Sequence, residues 1–308
     1  SVQPDYGIAT QYRTDNLIYM QKTGLFLPNT DTLTESSVPD SDPNDSIRYY
    51  LNSRASSEDS WLTEPAIQSH LAYRDLYGRA VGSSSRLDGV WKDFIDEDEE
   101  ITLGFDGSIR NDSTALVGCR VSDGLLFLIK LQQRPDNADP DWRVDRDGFD
   151  AAVRRMFENY NVIGCFADAH FFESMIGGWE AEYGRGMKVY ARGQSSMMKF
   201  WTNNWSQDMY RALQCAHSSF EYAPEPVEDG EPDPNNILLC TDPRLVSHFR
   251  NAKRREKSWG YQIHKETPKS PHKIDACMAG VLAYAAREKY LGQFEDDTPQ
   301  RVMPQRVW

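Results

Sequence analysis

The chain has 308 residues, 39% hydrophobic and 12% aromatic, which is enough apolar material for one large domain or two smaller ones and too much for global disorder. Its formal net charge of −13 argues against a simple nucleic-acid binder, whose surface is basic overall. No apolar run approaches the ~18–20 residues of a membrane span, no signal peptide opens the chain, and five scattered cysteines (Cys119, Cys165, Cys215, Cys240, Cys277) form no C-x-x-C pair. Membrane and disulfide-scaffold classes are thereby disfavoured, and a reducing compartment is expected. Because it opens on Ser1 rather than methionine, the chain reads as a processed or excised piece.

Residues 1–30 mix aromatic and apolar side chains, with a helix expected over 14–22, and 29–46 are rich in Asp, Ser, Thr and Pro and read as a linker. Helix is expected in parts of 47–80, where Thr63 can cap and Pro65 is tolerated in the first turn. The acidic run Asp93–Glu100 marks a boundary. Residues 1–95 are therefore expected to form a partly helical N-terminal extension, 96–292 the main domain, and 293–308 a flexible tail.

From 101 the pattern changes to short strands. Ile101–Asp106 is strand-like, and Ser113–Val121 and Leu125–Leu131 are joined by Ser122-Asp123-Gly124, a hairpin signal. Phe149, Ala152, Val153, Met156 and Phe157 recur at helical spacing, so a helix is expected over 149–160. Strand Val162–Asp168, helix 173–183, strand Met187–Ala191 and helix 201–217 follow. Residues 224–236, with five acids and four prolines, read as a loop or a two-strand excursion. Leu245–Lys257 is expected to be a basic helix and Trp259–His264 a strand. A last, amphipathic helix is expected to start near Pro271 with Ser270 as its cap and Asp275 in its first turn. A meander of strands followed by alternating helices and strands predicts an α/β mixed sheet flanked by helices, in the element order of the ribonuclease H-like fold.

Three carboxylates fall at positions that such a sheet can bring together: Asp106 and Asp168 end strands, and Asp275 begins a helix. Like charges in one cleft are unfavourable unless cations neutralise them, so the trio points to divalent metal. Asp112 is either a fourth, outer ligand or a turn residue. His170 and His272 lie near the acids and read either as phosphate or proton contacts or as solvated loop residues. Eight Lys and Arg fall between Arg250 and Lys273 against only Glu256 and Glu266, a local basic strip suited to a polyanion or, alternatively, a solvated face.

Gly104-Phe-Asp106-Gly-Ser with Asp112-Ser-Thr-Ala-Leu, then Phe166-Ala-Asp168-Ala-His, then Lys273-Ile-Asp275-Ala-Cys-Met-Ala carry a resemblance. In order and spacing they resemble the acidic motifs of the C-terminal nuclease domain of the large terminase subunit of tailed bacteriophages. Pro243–Ala252 resembles the segment before the last motif, and Tyr50–Leu62 the connector after the packaging ATPase region. There is no G-x-x-x-x-G-K-[ST], so no ATP hydrolysis is expected of this chain. His170 and Phe171 depart from the pattern.

The resemblance implies a metal-dependent endonuclease that cuts concatemeric double-stranded DNA during packaging, with two Mg²⁺ or Mn²⁺. Asp106 would bridge the ions and Asp168 and Asp275 would each hold one. Lys253, Arg254, Arg255, Lys257, Lys265, Lys269 and Lys273 would hold the phosphate backbone. Implied partners are the phage portal, the small terminase subunit and the ATPase region, with no membrane, in the host cell cytoplasm during phage assembly. Two other readings stand beside it: another ribonuclease H-like nuclease acting on junctions or hybrids, and a non-catalytic portal-docking module.

Overall fold

The structure, a computed structural model, describes residues 59–72, 90–108, 112–135, 137–139, 141–192, 196–200, 207–222, 224, 235–267 and 270–292. The helix expected over 14–22, the linker 29–46, Lys269 and the tail 293–308 lie outside them. Two runs of β-branched and aromatic residues, β2 (Glu100–Asp106) and β5 (Asn161–Asp168), lie side by side and parallel inside a seven-stranded sheet. On the other side of β2 stand β3 (Thr114–Arg120) and β4 (Leu125–Gln132), antiparallel as the hairpin signal predicts. Three short strands complete it: β1 (Leu71–Ala72) and β6 (Lys199–Phe200) at the two edges and β7 (Leu238–Cys240) between β1 and β4. The order is β1-β7-β4-β3-β2-β5-β6. Counted from β2, its five core strands run 3-2-1-4-5, a meander joined to parallel strands, as expected of the ribonuclease H-like arrangement.

The hairpin turn is locked from inside. Gly124 takes a φ of 71° that only glycine adopts freely, and Asp123 accepts from the Leu125 amide and from the fully buried Arg120 guanidinium at 2.5 and 3.0 Å. Arg120 also donates to the Phe94 carbonyl at 3.1 Å and to Glu99 at 3.2 Å. This ties the residues before β2 to the far end of the meander.

Helices cover both faces. Alternation along β2 sends Phe105 to one side, where it meets Phe149 of α2 (Arg146–Asn159) and Trp179 of α3 (Glu173–Tyr183) at ring separations of 6.0 and 5.4 Å. The preceding helix, α1 (Glu64–Ser69), is capped by Thr63 as expected, its hydroxyl accepting from the Ala66 amide. On the opposite face lie α4 (Gln207–Phe220), α5 (Pro243–Asn251) and α6 (Asp275–Tyr290). Thr102 of β2 donates to the Ala283 carbonyl of α6 at 2.7 Å. Gly104 lies so close to α6 that a Cβ there would stand 1.9 Å from the Ala279 carbonyl oxygen.

Three expectations are corrected. Leu245–Lys257 is not one helix: α5 ends at Asn251, and β8 (Lys253–Lys257) pairs antiparallel with β9 (Gly260–His264). Lysine, arginine and glutamate favour helix locally, but residues 59–61 run beside this stretch, with Asp59 O accepting from the Arg254 amide and Trp61 N–H donating to Ala252 O. Met187–Ala191 forms no named strand; β6 at Lys199–Phe200 extends the sheet instead. The last helix begins at Asp275 rather than near Pro271, and it is buried around nearly its whole circumference rather than amphipathic. Ser270 does accept a backbone N–H, from His272, but this closes a turn that precedes the helix. Described residues from before position 96 also pack with the sheet. Trp61, Ile67, Trp91 and Phe94 share the core of the sheet, and β1 pairs with β7.

Gly104→Ala should therefore destabilise the protein by about 3 kcal/mol, because backbone rather than a flexible side chain would have to move. Urea unfolding measures this; an unchanged midpoint would show that β2 and α6 are not in backbone contact.

Candidate active site

The face of β2 that carries Thr102 and Gly104 ends at Asp106. Along α6 their partners Ala283 and Ala279 lead, four residues further back, to Asp275. Two strand residues advance ~6.6 Å and four helix residues ~6 Å, so the two elements stay in step and the carboxylates meet at the open end. On the neighbouring strand, β5 runs parallel with Phe105 opposite Ala167, so Asp168 follows Asp106 at the same edge. Asp112 stands in the turn before β3 and adds a further acid.

The electrostatics record this convergence. Asp106 is pushed well above the usual carboxylate range, first by loss of hydration and then by the charges of Asp275, Asp168 and Asp112. Asp275, only 9% exposed, is raised to about 7 by burial and then by Asp112, although the Ser113 amide donates to its Oδ2 at 3.3 Å. Asp168 accepts from the His170 amide at 2.9 Å. Lys265 reaches Asp112 at 2.5 and 2.7 Å and Lys273 reaches it at 3.1 Å, so two cations of the predicted strip face the acids. Lys253 turns instead to Ser60 and Asp59, and Arg254 lies over the Tyr261 ring at 4.2 Å beside Glu256. Arg255 and Lys257 sit with them on β8.

Among the described residues no three His, Cys, Asp or Glu side chains stand close enough to hold an ion as they are. The chemistry of the donors nevertheless fits a hard divalent cation. They are all carboxylate oxygens, burial and then neighbouring carboxylates raise the proton affinity of Asp106 and Asp275, and the buried Ser113 hydroxyl beside them has no hydrogen-bond partner.

Two residues that position the site have no clear sequence signal. His248 of α5 is 3% exposed, and burial holds its pKa near 4, so it is neutral; its Nδ1 accepts the Ala276 amide at 2.9 Å. It thus supplies the N-terminal cap that α6 lacks from its own sequence. Three residues on, Asn251 donates to the Lys273 carbonyl at 3.1 Å and fixes the turn leading to Asp275. Their i, i+3 spacing on a helix could have suggested a shared face, but not what that face holds.

No protein-family model matches the chain. It is 33% identical over 278 residues to the gene 13 protein of Mycobacterium phage D29 and 34% identical over 283 residues to that of Mycobacterium phage L5. Each match covers 90% of this chain and 43% of the relative, so the chain spans less than half the length of these curated relatives. Among solved structures it matches the large terminase of bacteriophage HK97 (15% identity, 84% of this chain and 50% of that one, TM-score 0.48). It also matches the large terminase nuclease of thermophilic phage G20c with bound magnesium (13%, 74% and 98%, 0.40). A third match is the large terminase nuclease domain of bacterial virus Sf6 with manganese (12%, 73% and 98%, 0.41). By its own strand order the chain is an α/β protein of the ribonuclease H-like fold, similar in sequence to the gene 13 proteins of two mycobacteriophages.

Proposed function

We propose that the chain is the endonuclease part of a phage DNA-packaging terminase and cuts concatemeric double-stranded DNA with two divalent metal ions. One observation carries the reading: acids from four separate stretches of chain face one another at the carboxyl ends of β2 and β5 and the start of α6. A fold stabilised only for its own sake would not keep such repulsion at a cleft. The acidic motifs and the similarity to phage proteins support the same conclusion.

In this reading Asp106, Asp168 and Asp275 would hold two Mg²⁺ or Mn²⁺, with Asp112 as an outer ligand. When bound, the ions polarise the phosphodiester and acidify a water molecule. Hydrolysis joins the water oxygen to phosphorus and breaks the P–O3′ bond, leaving a 3′-hydroxyl and a 5′-phosphate. The protein's own part is to hold the acids in place. The Ser113 amide fixes Asp275, and His248 fixes the first turn that carries it. Lys265 and Lys273, released from Asp112, meet the phosphates of the bound strand. Lys253, Arg254, Arg255 and Lys257 extend the cationic track along β8, and Lys269 lies between Lys265 and Lys273 in sequence. The portal, the small terminase subunit and the ATPase region of a longer protein are the partners, and the host cell cytoplasm during phage assembly is the place.

Asp106→Asn and Asp275→Asn should each lower plasmid cleavage in Mn²⁺ by about 10³-fold or more, the scale on which removal of transition-state charge stabilisation acts. Parallel assays on hybrid and junction substrates distinguish the terminase reading from its ribonuclease H-like alternatives. Undiminished cutting by both variants rules the site out.

Stability should depend on pH in a direction that the same charges fix. Asp275 binds its proton more tightly folded than unfolded, at about 7 against 3.8. Below ~4 both states are protonated and there is no penalty; as pH rises through ~7 the folded carboxylate ionises against its neighbours and stability is lost. The metal-free melting temperature should therefore fall between pH 5 and pH 8, fall less in Asp275→Asn, and be restored by Mn²⁺ more strongly at pH 8. Equal Mn²⁺ stabilisation at both pH values in calorimetry would contradict the charge cluster.

A further inference from the structure

The loop after Asp168 contains two adjacent phenylalanines with opposite fates. Phe172 is fully buried, its ring 5.2 Å from that of Phe105 and packed so tightly under Gly107 that a Cβ there would stand 2.6 Å from it. Phe171 is 52% exposed, and with Tyr222 it is one of two large hydrophobic side chains exposed among the described residues. It is also the one non-glycine residue there with a positive φ, 67°. A bulky side chain in the left-handed region is strained, and strain of this kind persists where the surroundings impose it. Here the surroundings are identifiable. Phe172 N–H donates to the Ala169 carbonyl at 3.0 Å to close the turn, and the Asp168 carboxylate holds the His170 amide. With both ends fixed, the turn directs Phe171 outward, and its ring centroid lies 3.7 Å from that of the exposed His170.

We infer that Phe171, supported by His170, is a base-stacking residue that contacts a nucleotide beside the scissile phosphate, an inference that rests on the nuclease reading above. Among the described residues the ring gains little packing to offset its strained backbone, which leaves its face open to a partner. Its position defines that partner's chemistry. It stands three residues beyond a site acid, at the carboxyl end of a central strand, where a phosphate-bearing strand would lie. The Arg146 guanidinium, 5.0 Å over the Phe172 ring, adds a cation to the same rim. A flat apolar face beside phosphate contacts fits a nucleobase, which stacks whatever its identity. In duplex DNA such a ring enters as a wedge that loosens one base step. The residue therefore contributes affinity and local distortion without sequence choice.

The test uses the whole chain. Cleavage of a duplex oligonucleotide in Mn²⁺ should show KM raised about tenfold in Phe171→Ala with kcat within about threefold, and Phe171→Trp should restore KM. Phe171→Gly removes ring and strain together and should melt no lower than the parent, so weaker binding is not unfolding. In an Asp275→Asn background, which leaves DNA uncut, iododeoxyuridine duplex should photocrosslink to residue 171. KM of Phe171→Ala within about twofold of the parent, with crosslinks only elsewhere, overturns the assignment and leaves the ring to a protein partner. If the parent cuts no DNA in any divalent metal, the nuclease reading fails separately. Bound duplex without a crosslink at 171 then still sinks the stacking role.

Discussion

Everything at the candidate site depends on how closely one helix lies against one strand. Gly104 lets the backbone of α6 touch β2, and the Thr102 hydroxyl ties the Ala283 carbonyl to the strand two residues earlier. The contact fixes distance and register at once, since a strand and a helix advance by nearly equal steps over two and four residues. Asp106 and Asp275 are the next pair in that series. Their approach is a consequence of packing and not of attraction, for two carboxylates repel whenever both are ionised.

The helix can bear that repulsion because both its ends are held. At the amino end His248 accepts the Ala276 amide. At the other end the buried Arg287 donates to the Val121 carbonyl at 2.8 Å and the Asn236 carbonyl at 3.2 Å, and pairs with Glu288 at 2.6 Å. Leaving either charge of that pair alone in the core would cost about 3–5 kcal/mol, so the helix cannot slide to relieve the acids. Strain is concentrated at the cleft, where a cation can relieve it, and is carried by a core that keeps its shape.

The lysines moderate the same field. Lys265 and Lys273, from the segment between β9 and α6, converge on Asp112. The protein thus offers oxygen ligands and counter-charges within one cleft, a composition suited to a phosphodiester with its metals. The overall charge of −13 conceals this local arrangement.

Much of the fold was legible in the residues. Alternating β-branched runs, the Ser122-Asp123-Gly124 turn and the helical spacing of Phe149 to Phe157 act through neighbours in sequence, and the structure follows them to within a few residues. Asp106, Asp168 and Asp275 could be picked out because strand ends and helix starts are themselves local features. Where the reading missed, a distant segment had intervened. Pairing with β9 and with residues 59–61 held Lys253–Lys257 extended against its helical preference, and Met187–Ala191 meets β5 only where the Lys188 and Val189 amides donate to the Ile163 carbonyl. His248 as a cap, Asn251 as a clasp and Phe171 as an outward ring likewise have no local signature. Sequence alone determined the order of elements and the kinds of side chain at their ends, because those follow from short-range backbone preference and hydrophobic period. Only the tertiary structure decided which of those ends face one another, because backbone approach and register are properties of two surfaces meeting, and neither surface is encoded beside the other.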